Sequence, residues 1–261
     1  MSGTSCRGLL LAAGIVLGWL LSLVALFALV ALDALGLAGG LLALAVMART
    51  LAQTGLFIVG HDAMHGVLLP EHPRWNDRLG AASLGLYAAL PYGRCHRNHL
   101  RHHREEATPG DPDFHPDPHA GPLRWYGRFM GGYLSSSQMA RLLVGWMGLT
   151  VLLHSLAGLG WDRAAHSVLL CCTLPLLLSS LQLFLVGTYL PHRQQRSGSG
   201  GATSLDLPVW ASLLACYHFG YHREHHEAPT VPWFALPRQR LASGGAGSVS
   251  LDTRNCSDRL P

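Results

Sequence analysis

The chain contains four long apolar runs, and together they determine its fold class. The first, Gly8 to Leu32, extends over 25 residues without a formal charge, whereas a helix needs roughly 20 apolar residues to cross the core of a bilayer. A secretory signal peptide would have a shorter apolar centre followed by soluble sequence. We therefore predict an all-α integral membrane protein with four transmembrane helices and a histidine-rich cap. The predicted spans are residues 8–32, 35–60, 142–161 and 167–190.

The rest of the chain adds three expectations. Two shorter apolar runs, 79–92 and 205–219, are too short to cross a bilayer and are expected at its surface or as re-entrant segments. Residues 1–240 are predicted to form one membrane domain, and the Gly/Ser-rich residues 241–261 a flexible tail. Arg49 interrupts the second span. It either reaches to the bilayer surface or is a polar partner inside the bundle, and the sequence leaves both interpretations open.

The arginines predict the orientation of the spans. Nine of the 19 basic residues lie between His61 and Arg141 and seven follow the fourth span, whereas the turns near Asp33 and Asp162 contain one. By the positive-inside rule, both termini and the long loop between the second and third spans are predicted to be cytoplasmic. The net charge of +4 is modest. No basic run with interleaved aromatic residues occurs, which argues against nucleic-acid binding.

Histidine is abundant and regularly spaced. The chain has 16 histidines in 261 residues, and the pattern HxxHH occurs twice. At about 100° per residue, the three histidines of such a box lie within a 100° arc of a helix, and two histidines four residues apart differ by about 40°. Each box therefore directs its imidazoles to one side, as a metal site requires. The boxed residues are His61 and His65; His99, His102 and His103; and His222, His225 and His226.

Two further histidines extend this pattern. His192 follows the fourth span as His61 follows the second, so helix ends on one side of the bundle can bring both to the boxes. His218 lies four residues before His222 and shares its face if the helix is continuous.

Eight to ten imidazoles exceed the three or four protein ligands of a zinc site, so we expect two ions. Iron, copper and zinc all bind imidazole, and two irons that activate O₂ are the simplest interpretation. The remaining histidines, His72, His96, His115, His119, His154 and His166, are expected to be structural.

Four acidic residues are candidates for supporting roles. Asp111 and Asp113 belong to an Asp-Pro-Asp-Phe segment, which is either a turn or a source of carboxylates that hold the Nδ1–H of metal-binding histidines. Asp62 and Glu224 lie inside histidine boxes and have the same possible role. Together with His218, these residues are possible ligands or partners of ligands. No catalytic side chain is predicted beyond the metal ligands.

The chain resembles the membrane fatty acid desaturase and hydroxylase superfamily, in which three histidine boxes on four spans hold a diiron centre that uses O₂. Within it, residues from about Leu35 to Arg240 are similar to the bacterial and cyanobacterial β-carotene ketolases. The matching segments are HDAMHG (61–66), NHLRHH (98–103), DPDF (111–114), LPHR (190–193) and HFGYHREHH (218–226). Residues 115–121 and the tail match no segment of this family.

The resemblance implies both a cofactor and a reaction. Two Fe²⁺ ions would bind nine histidines, with O₂ as co-substrate. These are His61, His65, His99, His102, His103, His192, His222, His225 and His226. Two hydroxylations at C4 of a β-ionone ring, followed by loss of water, would convert the membrane-dissolved carotenoid β-carotene to echinenone and then to canthaxanthin. Electrons would come from an external donor such as ferredoxin, since no GxGxxG fingerprint occurs in the chain.

Three other functions share some of these features. A carotenoid ring hydroxylase would use the same diiron centre but make an alcohol. An acyl-lipid desaturase would also use it, although the ketolase-like segments argue against that function. A histidine-rich metal transporter is disfavoured, because a transport pathway needs charged or metal-binding residues along its spans, and Arg49 and His154 are the only arginine and histidine there.

Overall fold

The computed structural model describes residues 2–31, 39–117, 119–193, 201–244 and 248–249. Within these ranges the chain is helical, apart from turns, loops and two short parallel strands, β1 (Ser204–Leu205) and β2 (Ser248–Val249). The α-helices are α1 (Gly3–Ala31), α2 (Gly39–Met64), α3 (Pro73–Ala88), α4 (Tyr92–Arg104), α5 (Pro122–Tyr133), α6 (Ser136–Ala157), α7 (Trp161–Val168), α8 (Leu174–Phe184), α9 (Leu190–His192), α10 (Val209–Cys216), α11 (His222–Glu227) and α12 (Leu236–Ala242). Of the predicted tail, residues 245–247 and 250–261 lie outside the described residues.

Four of the described helical segments are long and apolar enough to cross a membrane: Gly3–Val30, Gly40–Met64, Ser136–Ala157 and Trp161–His192. The predicted all-α architecture with four apolar spans is therefore confirmed. Leucines on α1 and α6, such as Leu21 and Leu156, are exposed. An exposed apolar surface of this kind is typical of helices that face lipid. The predicted end of the first span and start of the second fall on residues 32–38, outside the described residues.

Local capping sets the ends of the helix that contains the third predicted span, residues 142–161. This helix begins at Ser136, because the Ser135 hydroxyl accepts the Gln138 N–H at 3.3 Å and caps it. It ends at Ala157 because Gly158 adopts a left-handed φ of 65°. The second span continues to residue 64 and the fourth begins at residue 161.

The fourth span contains two π-helical turns, Leu169–Thr173 and Leu185–Tyr189. Each turn is followed at once by a segment with proline in its first positions, Pro175 in α8 and Pro191 in α9. Proline has no N–H for the helical ladder, so the backbone must adjust around it. Single π turns inside α-helices frequently occur at functional sites, and the second one here leads directly to His192.

Arg49 is a polar partner inside the bundle. Its side chain is buried, its Nη1 donates to the Trp19 carbonyl at 3.1 Å, and its guanidinium lies 4.5 Å from the Trp19 ring. Its Nε donates to the Cys171 carbonyl at 3.4 Å. That carbonyl is four residues before Pro175, which has no N–H to offer it. The buried position excludes the alternative in which Arg49 extends to the bilayer surface.

The helix α3 is a short hairpin partner of α2, consistent with an apolar run too short to span. It ends at Ala89, which has a left-handed φ of 53°. The two helices approach closely at two glycines. A Cβ atom at Gly60 would lie 2.6 Å from Leu84, and one at Gly80 would lie 2.5 Å from Ala63. Since Ala63 is two residues after His61, this contact fixes the end of α2 that carries the first histidine box.

We predict that Gly80→Ala lowers the free energy of unfolding by about 1–3 kcal/mol, because the added methyl overpacks the α2–α3 contact. Gly85→Ala in the same helix is the matched control. Its Cβ meets nothing within 4 Å, so higher helix propensity should raise stability by up to about 1 kcal/mol. Thermal unfolding of both purified variants in detergent measures the difference. Equal stability of the two variants would contradict the close packing described here.

Candidate metal centre

Four separate segments bring imidazoles to one place. His61 lies in the last turn of α2 and His65 one residue beyond its end, where Gly66 turns the chain with a φ of 70°. The helix α4 carries the complete second box, and α11 carries the third. His192 ends the fourth span. All nine histidines expected to bind metal are therefore near neighbours.

The first group consists of His61, His65, His99 and His225, whose nearest ligand atoms all lie within 4.8 Å of one another. The Nε2 atoms of His65 and His99 are 2.7 Å apart. The ring centre of His61 is 4.4 Å from that of His99 and 4.7 Å from that of His225. These four imidazoles come from α2, α4 and α11 and the residue after α2, so they converge from three directions.

The second group consists of His102, His192, His222 and His226, again with ligand atoms within 4.8 Å of one another. The Nε2 atom of His222 is 2.9 Å from that of His192 and 3.0 Å from that of His226. The Nε2 atoms of His226 and His102 are 3.1 Å apart. Three of the four residues are buried.

His103 lies between the two groups. Its Nε2 atom is 3.2 Å from that of His99 and 3.0 Å from that of His225, both in the first group. Its ring is stacked on His226 of the second group, with centres 4.3 Å apart. His103 belongs to neither group and contacts members of both.

The spacing and charge of these imidazoles fit two bound cations. A metal–nitrogen bond of about 2.1 Å places adjacent ligand atoms roughly 3 Å apart, and the Nε2 separations are 2.7–3.2 Å. Burial and the neighbouring imidazoles lower the pKa of His65 to about 4 and hold the pKa of His99 and His225 well below the usual value. The rings are therefore neutral at neutral pH, which is the form that binds metal.

Two carboxylates orient the second group. The His102 Nδ1–H donates to Asp111 at 2.9 Å, and both side chains are buried. Burial opposes charge on both partners, but this hydrogen bond raises the pKa of His102 and lowers that of Asp111. Glu106 lies 3.1 Å from Nδ1 of His226 and 3.7 Å from Nδ1 of His192. Because a carboxylate lies beside Nδ1 of His102, His192 and His226, Nε2 is the nitrogen of each ring that faces the second group.

Glu106 is the functional residue that the sequence reasoning missed. It follows the second histidine box by three positions, next to Glu105. An acidic residue just beyond a histidine box could have indicated a carboxylate partner for the imidazoles. Nothing in the sequence, however, distinguishes Glu106 from Glu105. Only the meeting of α4 with His192 and α11 places its carboxylate beside two imidazoles.

Two further acidic candidates, Asp62 and Glu224, have different surroundings. Asp62 Oδ1 is 3.8 Å from His61 Nδ1, and the carboxylate accepts the Trp233 N–H at 3.4 Å. Glu224 is held by the Ser204 hydroxyl and by Arg240 at 3.3 Å, so it ties α11 to its neighbours and contacts no imidazole within hydrogen-bonding range.

Asp113 lies in the loop after α4. Its carboxylate accepts the Tyr133 hydroxyl at 2.8 Å, and burial raises its pKa to about 6. The segment that contains Asp111 and Asp113 is both a turn and a source of carboxylates, so the two interpretations of its sequence do not exclude each other.

His218 stands apart from both groups. The helix assumed to join it to His222 is interrupted, since α10 ends at Cys216 and both Tyr217 and His218 have positive φ, 48° and 66°. The expectation of one shared helical face is therefore wrong. The His218 ring stacks on Tyr221 with centres 5.7 Å apart.

The histidines expected to be structural also lie outside both groups. His154 and His166, for example, form hydrogen bonds with nearby backbone carbonyls.

The comparison with known families agrees with this geometry. The family model described as fatty acid desaturase matches residues 34–244. The chain belongs to the fatty acid desaturase family. It is 38% identical over 255 residues to a β-carotene ketolase of Paracoccus sp. strain PC1, which covers 94% of this chain and 97% of the relative. It is 40% identical over 246 residues to a β-carotene ketolase of Paracoccus sp. strain N81106, covering 90% and 93%.

A third relative is named for zeaxanthin and not for β-carotene. A zeaxanthin 4-ketolase of Chlamydomonas reinhardtii is 38% identical over 199 residues, which are 74% of this chain and 43% of that protein. With near full-length enzyme relatives and a family match over most of the chain, this member of the desaturase family is an oxidoreductase.

In this desaturase-family chain, an apolar cavity of about 190 Å³ leads to the histidines. His61, His99, His102 and His222 line one part of it. Most of the remaining lining comes from apolar side chains of α3, α5, α6 and the fourth span, among them Phe129, Trp146 and Leu176. An apolar ligand in this cavity would therefore contact members of both histidine groups.

Proposed function

We propose that the protein is a diiron carotenoid ketolase that introduces a keto group at C4 of β-ionone rings. The observation that carries this proposal is the apolar cavity, which reaches imidazoles of both histidine groups. The near full-length similarity to two β-carotene ketolases supports the substrate class. A rod-like hydrocarbon dissolved in the bilayer is the kind of molecule that an apolar cavity among membrane helices suits.

The proposed reaction has two balanced rounds. In each, O₂, two electrons and two protons convert a C4–H bond to C4–OH and release one water. After the second round, C4 carries two hydroxyl groups, and loss of water leaves the ketone. β-Carotene would thus give echinenone and, after reaction at the second ring, canthaxanthin. Two irons, when bound, would supply the activation of O₂ and the removal of hydrogen from C4.

The residues of the chain have three proposed tasks. The nine imidazoles would hold two iron ions, which bind as Fe²⁺. Asp111 and Glu106 fix the tautomer and direction of the imidazoles in the second group. The apolar lining excludes water from the reacting ring and presents C4 to the ions. His103, in contact with both groups, is placed to couple them.

We also propose a partner and an orientation. The chain has no dinucleotide-binding fingerprint, so its electrons come from a separate donor such as ferredoxin. The arginine distribution supports a cytoplasmic position for both termini and for the histidine centre. Reduced donors of this type are available on that side of the membrane.

Expression in a bacterium engineered to accumulate β-carotene tests this function. We expect pigments with one or two additional keto oxygens, identified by chromatography and mass, and a colour shift to red. The His102→Ala variant, present in the membrane at the same level, is the control and should leave β-carotene unchanged. An alcohol without a ketone would favour a ring hydroxylase. Unchanged pigment from iron-loaded protein, with altered fatty acids, would favour an acyl-lipid desaturase.

A further inference from the structure

Among the described residues that line the cavity, Asp113 is the acidic one, beside the uncharged polar residues Gln138, Ser180 and Thr188. It lines the same space as His99, His102 and Tyr133, and its side chain is buried. Among the described residues no arginine forms an ion pair with it. Its Oδ1 atom accepts a hydrogen bond from the Tyr133 hydroxyl at 2.8 Å. This is the one hydrogen bond that the carboxyl group makes with the described residues.

The loop does not need this carboxyl group to hold its shape. The Asp113 N–H donates to Asp111 at 2.8 Å, and the Asp113 carbonyl accepts the Trp125 indole N–H at 2.7 Å. The backbone of Asp113 thus makes the structural contacts. Burying a carboxyl group in an apolar cavity without a cationic partner is unfavourable. A carboxyl group buried in this way, in the same cavity as candidate metal-binding histidines, is a candidate for a functional role.

The two-round reaction provides a ligand for this group. After the first oxygenation, the ring carries a hydroxyl group at C4, next to the imidazoles. In a wholly apolar cavity this hydroxyl would lack a hydrogen-bond partner, and the alcohol would be favoured to leave toward a more polar environment. A carboxyl group beside His99 and His102 offers an acceptor at the place where the alcohol is formed.

We propose that Asp113, supported by Tyr133, hydrogen-bonds the C4 hydroxyl of the monohydroxylated ring and retains it for the second oxygenation. This inference rests on the proposed ketolase function. It assigns to the pair a positioning role, in which the Tyr133 hydroxyl fixes one carboxyl oxygen and the other faces the alcohol. The remaining C4–H bond then stays at the centre until the second round.

The test compares two variants in β-carotene-accumulating cells. Asp113→Leu combined with Tyr133→Phe removes both polar groups while it keeps their approximate volume. We expect the ratio of 4-hydroxy to 4-keto pigment to rise at least about tenfold, as befits the loss of one hydrogen bond to a charged group. Asp113→Asn keeps a polar group that can bond the alcohol, and should restore most of the wild-type ratio. Iron content, measured on purified protein, should equal the wild-type value in both variants.

If the double variant has no turnover, a binding measurement tests the assignment of Asp113 and Tyr133 instead. Iron-free wild-type protein in detergent should bind 4-hydroxylated β-carotene about tenfold more tightly than β-carotene itself, as read from quenching of tryptophan fluorescence. The iron-free double variant should lose this preference. Retention of the preference, or an unchanged product ratio in active cells, would overturn the assignment of Asp113 and Tyr133. Absence of any oxygenated carotenoid with the wild-type chain would instead refute the ketolase function itself.

Discussion

Alanine at His225 or at His226 is expected to reduce the iron content from two ions per chain to about one and to lower oxygenation more than a hundredfold. These neighbours in α11 belong to different groups, His225 to the first and His226 to the second. Loss of one of four converging imidazoles leaves three protein ligands and an open position, which weakens the binding of that ion. Because O₂ activation is proposed to need both ions, loss of either should stop turnover.

Purified protein separates this expectation from simple misfolding. Iron is counted by metal analysis and activity by conversion of β-carotene in the producing cells. His166→Ala is the control, because His166 is exposed and lies outside both groups; it should keep two irons and wild-type activity. Two irons retained in either His225→Ala or His226→Ala would contradict the assignment of the groups. Loss of both ions in each variant would show that the two sites do not form independently.

The helical spacing of the histidine boxes was sufficient to predict that their imidazoles face one region, but not how they divide into two groups. The second box lies wholly within α4, so the periodicity of 3.6 residues holds across it and its imidazoles reach both groups, His99 the first and His102 the second. The four spans were likewise predictable, because helix length and apolar composition are local properties. These features depend on short stretches of sequence and not on distant contacts.

Other features depend on how separate segments meet, and the sequence could not predict them. The break between His218 and His222 requires two consecutive non-glycine residues in the left-handed region, which such residues rarely adopt. The role of Glu106 depends on contacts with His192 and His226, which are far away in sequence. The helix α6 begins at Ser136, ahead of the predicted third span, because the polar turn that caps it precedes the apolar run from which the span was predicted.

The two histidine groups differ in their supporting carboxylates. Neutral imidazoles bring no charge to compensate two divalent cations, so nearby carboxylates must supply it. Asp111 and Glu106 both contact members of the second group. In the first group, His61 Nδ1 has no hydrogen-bond partner among the residues that the structure describes, and Asp62 remains 3.8 Å away. The second ion should therefore depend more strongly on carboxylates than the first.

Replacement of Glu106 by glutamine is accordingly expected to weaken iron binding at the second group by about 10–100-fold, the usual effect of losing a carboxylate that holds a ligand histidine. The amide keeps the size of the side chain but removes its negative charge. Purified protein is dialysed against a chelator, and the release of iron is followed with time. One ion should leave the Glu106→Gln variant early, while the other leaves at the wild-type rate, because the first group does not contact Glu106.

Glu105→Gln is the matched control for this change. Glu105 is adjacent in sequence, but its carboxylate pairs with Arg101 at 3.0 Å on the exposed side of α4, where an ion pair contributes little. The control should release iron as the wild type does. Equal release from the two glutamine variants would show that proximity of Glu106 to His192 and His226 has no part in binding. Early release of both ions from Glu106→Gln would show instead that the second ion holds the first in place, which is the behaviour expected if His103 links the two groups.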